Sequence, residues 1–171
     1  RDREPREVLE IAFRDLEGLP VKVVLNTEEE TAEKIAGTVY LAGFDFVIIR
    51  NEKEVLIPYE NVKYIEKEKT FSILKREERS LSTIEHCYRR SLTFQFGRTV
   101  AASPELIQVF FGLKLPIYLL MKVCEVVEVA LADGEKVKGE IIHASHDTIR
   151  LKSGKEKKDF TLGHVRWIKL L

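Results

Sequence analysis

The sequence predicts a mainly β protein with accessory helices, built from two tandem five-stranded small barrels. Three observations lead there. The apolar and glycine spacing of residues 123–168 recurs over residues 21–65. Gly37 and Asp45 stand eight positions apart, as do Gly139 and Asp147. The closing segments, Ile57 to Ile65 and Phe160 to Ile168, match in apolar, basic and aromatic character almost position by position. About five short strands in roughly 50 residues cannot leave both sheet edges and the apolar face open, so each copy is expected to curl into a barrel.

The elements follow in order. Pro5 suits a first helical turn, and Val8, Leu9, Ala12, Phe13 and Leu16 form a stripe at helical spacing before Gly18, which predicts a helix over 5–17. Val21 to Leu25 is the first strand. It runs into a long acidic loop, 26–33, read as solvated. Gly37 opens a strand that turns at Asp45, and 57–65 closes the first unit, placed at 1–69. In the connecting segment, 70–122, Phe71 to Leu74 reads as strand and Leu81, Ile84 and Tyr88 as one helix face. Leu92, Phe94 and Phe96 alternate with polar residues as a strand that Gly97 ends. Ser103, Pro104 and Glu105 are a helix start. The apolar stretch 106–121 is expected as a buried or interface helix, interrupted between Gly112 and Pro116. Its 16 residues fall short of the ~20 that span a bilayer. In the second unit, 123–171, Val127, Val129 and Leu131 alternate with Glu128 and Ala130, and Gly139 opens a strand bent near Asp147.

A total of 28 basic and 28 acidic residues leaves no global field toward nucleic acid or an anionic membrane. The distribution is uneven: 11 basic against 16 acidic residues in 1–69, 8 against 4 in 70–123, and 9 against 8 in 124–171. Any anion-binding surface is therefore expected after residue 70. Two cysteines, Cys87 and Cys124, make no disulfide framework, and the charged start lacks an apolar h-region, so an intracellular, cytoplasmic location is expected.

No catalytic constellation emerges. His143 and His146 lie three apart, on opposite faces of a strand, with no further ligand at metal spacing. His86 and Cys87 are helix neighbours that point about 100° apart. Glycine-rich phosphate loops and G-x-S-x-G are absent. No enzyme, metal or cofactor is expected.

An N-terminal helix, Val-x-Val-x-Leu at 21–25 and 127–131, a glycine-led second strand, an aspartate turn and a closing Ile57…Val62…Ile65 or Phe160…Val165…Ile168 are similar to the Sm-like family. The resemblance covers both repeats. It implies strongly bent barrels that join edge to edge in rings and bind single-stranded RNA. Asp45 and Asp147 match the family's turn aspartate. The asparagine that follows it is missing from both copies, and Pro58-Tyr59 and Thr161-Leu162 replace the family's Arg-Gly pair. RNA contact is then expected from Asp45, Tyr59 and Asp147, from Arg89, Arg90 and Arg98 in the middle segment, and from Arg150, Lys152, Lys155, Lys157 and Lys158, with Phe44, Tyr64 and Trp167 as further aromatics. The competing expectation is a scaffold that assembles through its barrel edges without nucleic acid. It rests on a weaker resemblance to tandem-barrel spore coat proteins. The expected partners are a second copy or another protein, or single-stranded RNA, and no membrane.

Overall fold

Proline stands in the first turn of three of the four helices among the described residues, and β-branched residues are frequent in the buried strands. The computed structural model describes residues 4–27, 31–67 and 96–171. Helix α1 (Pro5–Asp15) has Pro5 in its first turn, where no N–H is needed, and is laced by Arg6–Glu10 and Arg14–Glu10 pairs one turn apart. Gly18, at φ +81°, turns the chain into β1 (Pro20–Leu25). Then come β2 (Lys34–Ala42), β3 (Phe46–Arg50), β4 (Glu54–Pro58), a 3-10 turn at Tyr59–Asn61 and β5 (Val62–Lys67). The strand, the helix and the His86–Cys87 pair expected over 71–88 lie outside the described residues, as do Arg89, Arg90, Leu92 and Phe94.

Phe96 and Gly97 do not end a strand. They belong to a short helix, α2 (Phe96–Ala101). Ser103 caps the next helix, α3 (Pro104–Phe111), by accepting from the Leu106 N–H at 3.4 Å. Gly112, at φ +77°, stops it, and α4 (Leu115–Met121) restarts with Pro116 in its first turn. The apolar stretch is thus two helices, with the break where glycine and proline demand it. Among the described residues, no helix is long and apolar enough to cross a membrane. The second unit has β6 (Val126–Leu131), β7 (Lys136–Ala144), β8 (Thr148–Ser153), β9 (Glu156–Thr161), a 3-10 turn at Leu162–His164 and β10 (Val165–Leu170).

The repeat is present in strand order, register and irregularities. The order β5-β1-β2-β3-β4 in the first half corresponds to β10-β6-β7-β8-β9 in the second. The β2/β3 register shifts between Val39 and Leu41, and the β7/β8 register between Ile141 and His143. Gly37 explains one close approach: a Cβ there would lie 2.8 Å from the Arg50 carbonyl oxygen and 2.7 Å from Ile49 Cγ2.

The two halves do not stand as separate closed barrels. β10 pairs antiparallel with β4, Ile168 opposite Leu56 and Lys169 opposite Val55, and all ten strands form one open sheet ending in β5 and β9. An edge that would otherwise expose a row of backbone donors and acceptors is covered by the other half.

Two cores result. Phe13 of α1 closes the first over Val21, Val23, Val39, Val47, Ile49 and Tyr59, and Ala130 and Trp167 of the second half join it. Leu115, Tyr118 and Leu119 of α4 lie in the second with Val127, Val129, Ile141, Ile149, Leu151 and Ile168. That core also takes Leu41, Phe46, Ile48 and Leu56 from the first half. The burial pattern follows: β4 has four of its five residues buried, whereas β9 has none. The second-half counterparts on that outer face are His143, Thr148, Arg150 and Asp159, which are polar and lie at the surface.

Candidate functional site

Two regions carry the residues that the sequence singles out, and a third was missed by it. The first is a cleft of about 590 Å³ where the starts of α1 and α4 meet both aspartate turns, lined by Arg6, Asp45, Tyr59, Glu60, His146 and Asp147 among others. The turns are built alike. Tyr59 N–H donates to the Asp45 carbonyl at 3.0 Å, and Leu162 N–H to the Asp147 carbonyl at 2.7 Å. Their side chains differ. Asp45 Oδ1 accepts from the Leu115 N–H at 2.8 Å and so fastens the start of α4 to the first half. Burial raises its carboxyl above the ordinary range, against the Leu115 N–H and the charges of Lys114 and Arg6, which lower it. Asp147 is exposed, and its Oδ1 accepts from the hydroxyl of its neighbour Thr148 at 3.1 Å.

Tyr59 is a core residue and offers no face for a base to stack on. Its ring lies parallel to Phe13 at 5.7 Å, its hydroxyl donates to the Gly43 carbonyl at 2.7 Å, and it is 2% exposed. Burial pushes that hydroxyl well above the usual tyrosine value. Phe44 is covered by cations instead, with the Arg6 guanidinium 3.8 Å and the Lys114 ammonium 5.2 Å from its ring centre.

The second region is the β8–β9 hairpin. It brings together Arg150, Lys152, Lys155, Lys157 and Lys158, all exposed, beside Glu156 and Asp159. Arg150 is already engaged: its Nε and Nη2 donate to the two Asp159 carboxylate oxygens at 2.6 and 3.0 Å. This fork lowers the Asp159 carboxyl below its usual value and raises the guanidinium. Arg98 is exposed on α2, away from this cluster in sequence. His143 sits on β7 opposite Arg150, and His146 in the turn. Among the described residues no group of three His, Cys, Asp or Glu is placed to hold a metal ion.

The third region is the junction of the halves. Glu33, read from sequence as part of a solvated loop, accepts from Arg166 Nη1 at 2.9 Å and from Trp167 Nε1 at 2.8 Å. Asn61 Nδ2 donates to the Val165 and Arg166 carbonyls at 2.8 and 3.0 Å. Both anchor the first half's loops onto β10, beside the β4·β10 pairing.

The chain matches no family model and no curated protein.

The missed residues have a signal in the repeat itself. Leu25 N–H donates to the Glu33 carbonyl as Leu131 N–H does to that of Glu135, at 2.9 and 2.8 Å. Asn26 N–H donates to Asn61 as Ala132 N–H does to His164, at 2.8 and 2.9 Å. Glu33 and Asn61 are therefore positions at which both copies keep a polar side chain at the same corner. Trp167, counted as a candidate base-stacking ring, is 6% exposed at this junction, whereas its counterpart Tyr64 is 45% exposed.

Proposed function

We propose that this chain is a non-catalytic, Sm-like assembly module that works by pairing its open strand edges with a further β edge. One observation carries the reading: β4 and β10 already join the two halves by strand pairing, and β5 and β9 end the sheet. The common strand order and matching bulges support reading each half as an Sm-like unit. An edge strand is a template for another chain unless something blunts it. Hydrogen exchange tests the proposal. Amides of β5 or β9 that become protected as concentration rises, or on adding a partner, support edge pairing. Fast exchange in both strands under all conditions rejects it.

Single-stranded RNA is the second reading, favoured by five exposed basic residues against two acidic ones between 150 and 159. The base pocket of the family is not what supports it: Tyr59 is buried and Asp45 is bonded to Leu115. Binding through this hairpin is a matter of phosphate contact, and therefore of salt.

A further inference from the structure

We infer that the cleft between the two aspartate turns is a docking site for a protein segment that presents an arginine beside apolar residues. It uses side chains of the turns, not the backbone edges of β5 and β9, so the inference goes beyond edge pairing and does not depend on it.

The cleft exists because the halves are joined. Pro58 and Glu60 of the first half and Asp147 and Leu162 of the second all line it, so neither half forms it alone. Its volume of about 590 Å³ lies among those that hold a small ligand or a few side chains, roughly 300 to 1,000 Å³. Most of the lining is apolar and stiff. Pro58 and Leu162 are buried in it, and the first turns of α1 and α4 add Pro5 and Pro116.

The charge in the cleft is unbalanced. Arg6 is engaged elsewhere: its Nη1 donates to Glu10 and to the Phe44 carbonyl, each at 2.9 Å, and its guanidinium lies over the Phe44 ring. The positive ends of the two helices are also answered within the chain, α1 by Glu7 in its first turn and α4 by Asp45 on the Leu115 N–H. Glu60 and Asp147 are both exposed, and Asp147 meets the neutral hydroxyl of Thr148. Neither carboxylate has an ion-pair partner among the described residues.

An apolar trough edged by two unpaired carboxylates, one from each half, fits a cation carried on an apolar stem. A polyanion meets repulsion there, which separates this cleft from the basic β8–β9 hairpin. Arginine fits better than lysine, because the guanidinium is more weakly hydrated and its donors can meet both carboxylates while its flat face packs on proline and leucine. The chain uses that chemistry itself: Arg166 donates to the Glu33 carboxylate and the Ala132 carbonyl. His146, exposed in the same lining, adds a further hydrogen-bonding group. Ion pairs at so open a site are worth little each, so the contact is reversible and sensitive to salt.

The test is an array of capped hexapeptides of randomised sequence, probed with the full chain and with its Glu60→Gln/Asp147→Asn double variant. Amide NMR shifts with the strongest binder then locate the contact. The expected binders carry arginine next to Leu, Ile, Val or Pro and shift the amides of Glu60 and Asp147. The double variant should bind them about fivefold more weakly, and exchanging the peptide's arginine for glutamine should lose a similar factor against the unaltered chain. No peptide bound above background, selected peptides without arginine, or equal binding to the double variant overturns the proposal. So does a uridine oligonucleotide that shifts the same amides, which would give the cleft to RNA. Peptide shifts confined to β5 and β9 overturn the cleft and leave edge pairing standing. Cleft binding with β5 and β9 in fast exchange under all conditions rejects edge pairing alone.

Discussion

Asp45 and Asp147 occupy the same turn and do different work, which can be tested by titration. Asp45→Ala should cost about 1 to 3 kcal/mol, because the Leu115 N–H loses its acceptor. Asp45→Asn keeps an acceptor and removes the titration. The folded carboxyl is raised above its ordinary 3.8, so its contribution is present in full below that value and is lost as pH rises through the folded one. Wild type should therefore gain stability relative to Asp45→Asn as pH is lowered through the carboxylate range. A difference in denaturation midpoint that stays flat with pH would contradict the assignment. The paired glycines make a second comparison. A Cβ on Gly37 meets backbone oxygen at 2.8 Å and Ile49 at 2.7 Å, whereas one on Gly139 comes no closer than 3.0 Å. Gly37→Ala should cost about 1 to 3 kcal/mol, and Gly139→Ala measurably less, in parallel denaturation curves.

At the scale of elements, strand β3 shows what was legible in the sequence and what was not. The strand itself, the turn at Asp45 and the glycine before them follow from period and punctuation. That Phe46, Val47, Ile48 and Ile49 are all buried is equally written in their unbroken apolarity, the mark of a strand covered on both faces. What covers the second face was not legible, because that depends on a residue pairing over 100 positions away. β8, with Thr148, Arg150 and Lys152 on its outer face, is the same strand position left uncovered. Glu33 was misread for a related reason: its partners Arg166 and Trp167 come from the other half. Glu33→Ala should destabilise the chain by about 1 to 3 kcal/mol, since it leaves Arg166 Nη1 and the Trp167 N–H without their acceptor, although Arg166 Nη2 keeps the Ala132 carbonyl. Glu135→Ala, whose carboxylate is exposed, should leave the stability of the isolated chain nearly unchanged. Equal losses at the two positions would remove Glu33 from the junction.

For the whole molecule, the shared cores set the cooperativity. Leu41, Phe46, Ile48 and Leu56 of the first half are buried in the second core, and Ala130 and Trp167 of the second half in the first. Neither half can unfold without exposing apolar surface of the other, so calorimetry should show a single transition. Two resolved transitions would mean that the junction contributes little. On the RNA reading, replacing Lys155, Lys157 and Lys158 by Gln should reduce the slope of log affinity against log salt by up to about three. A slope indifferent to the triple substitution removes the β8–β9 hairpin from RNA binding.

The junction also makes the two halves inequivalent beneath their common strand order. The positions of Leu41, Phe46, Ile48 and Leu56, buried in the second core, are held in the second half by His143, Thr148, Arg150 and Asp159. Each half is therefore fixed in its place along the chain: exchanging the two would put the Arg150–Asp159 pair where apolar side chains now pack and leave four apolar residues facing water.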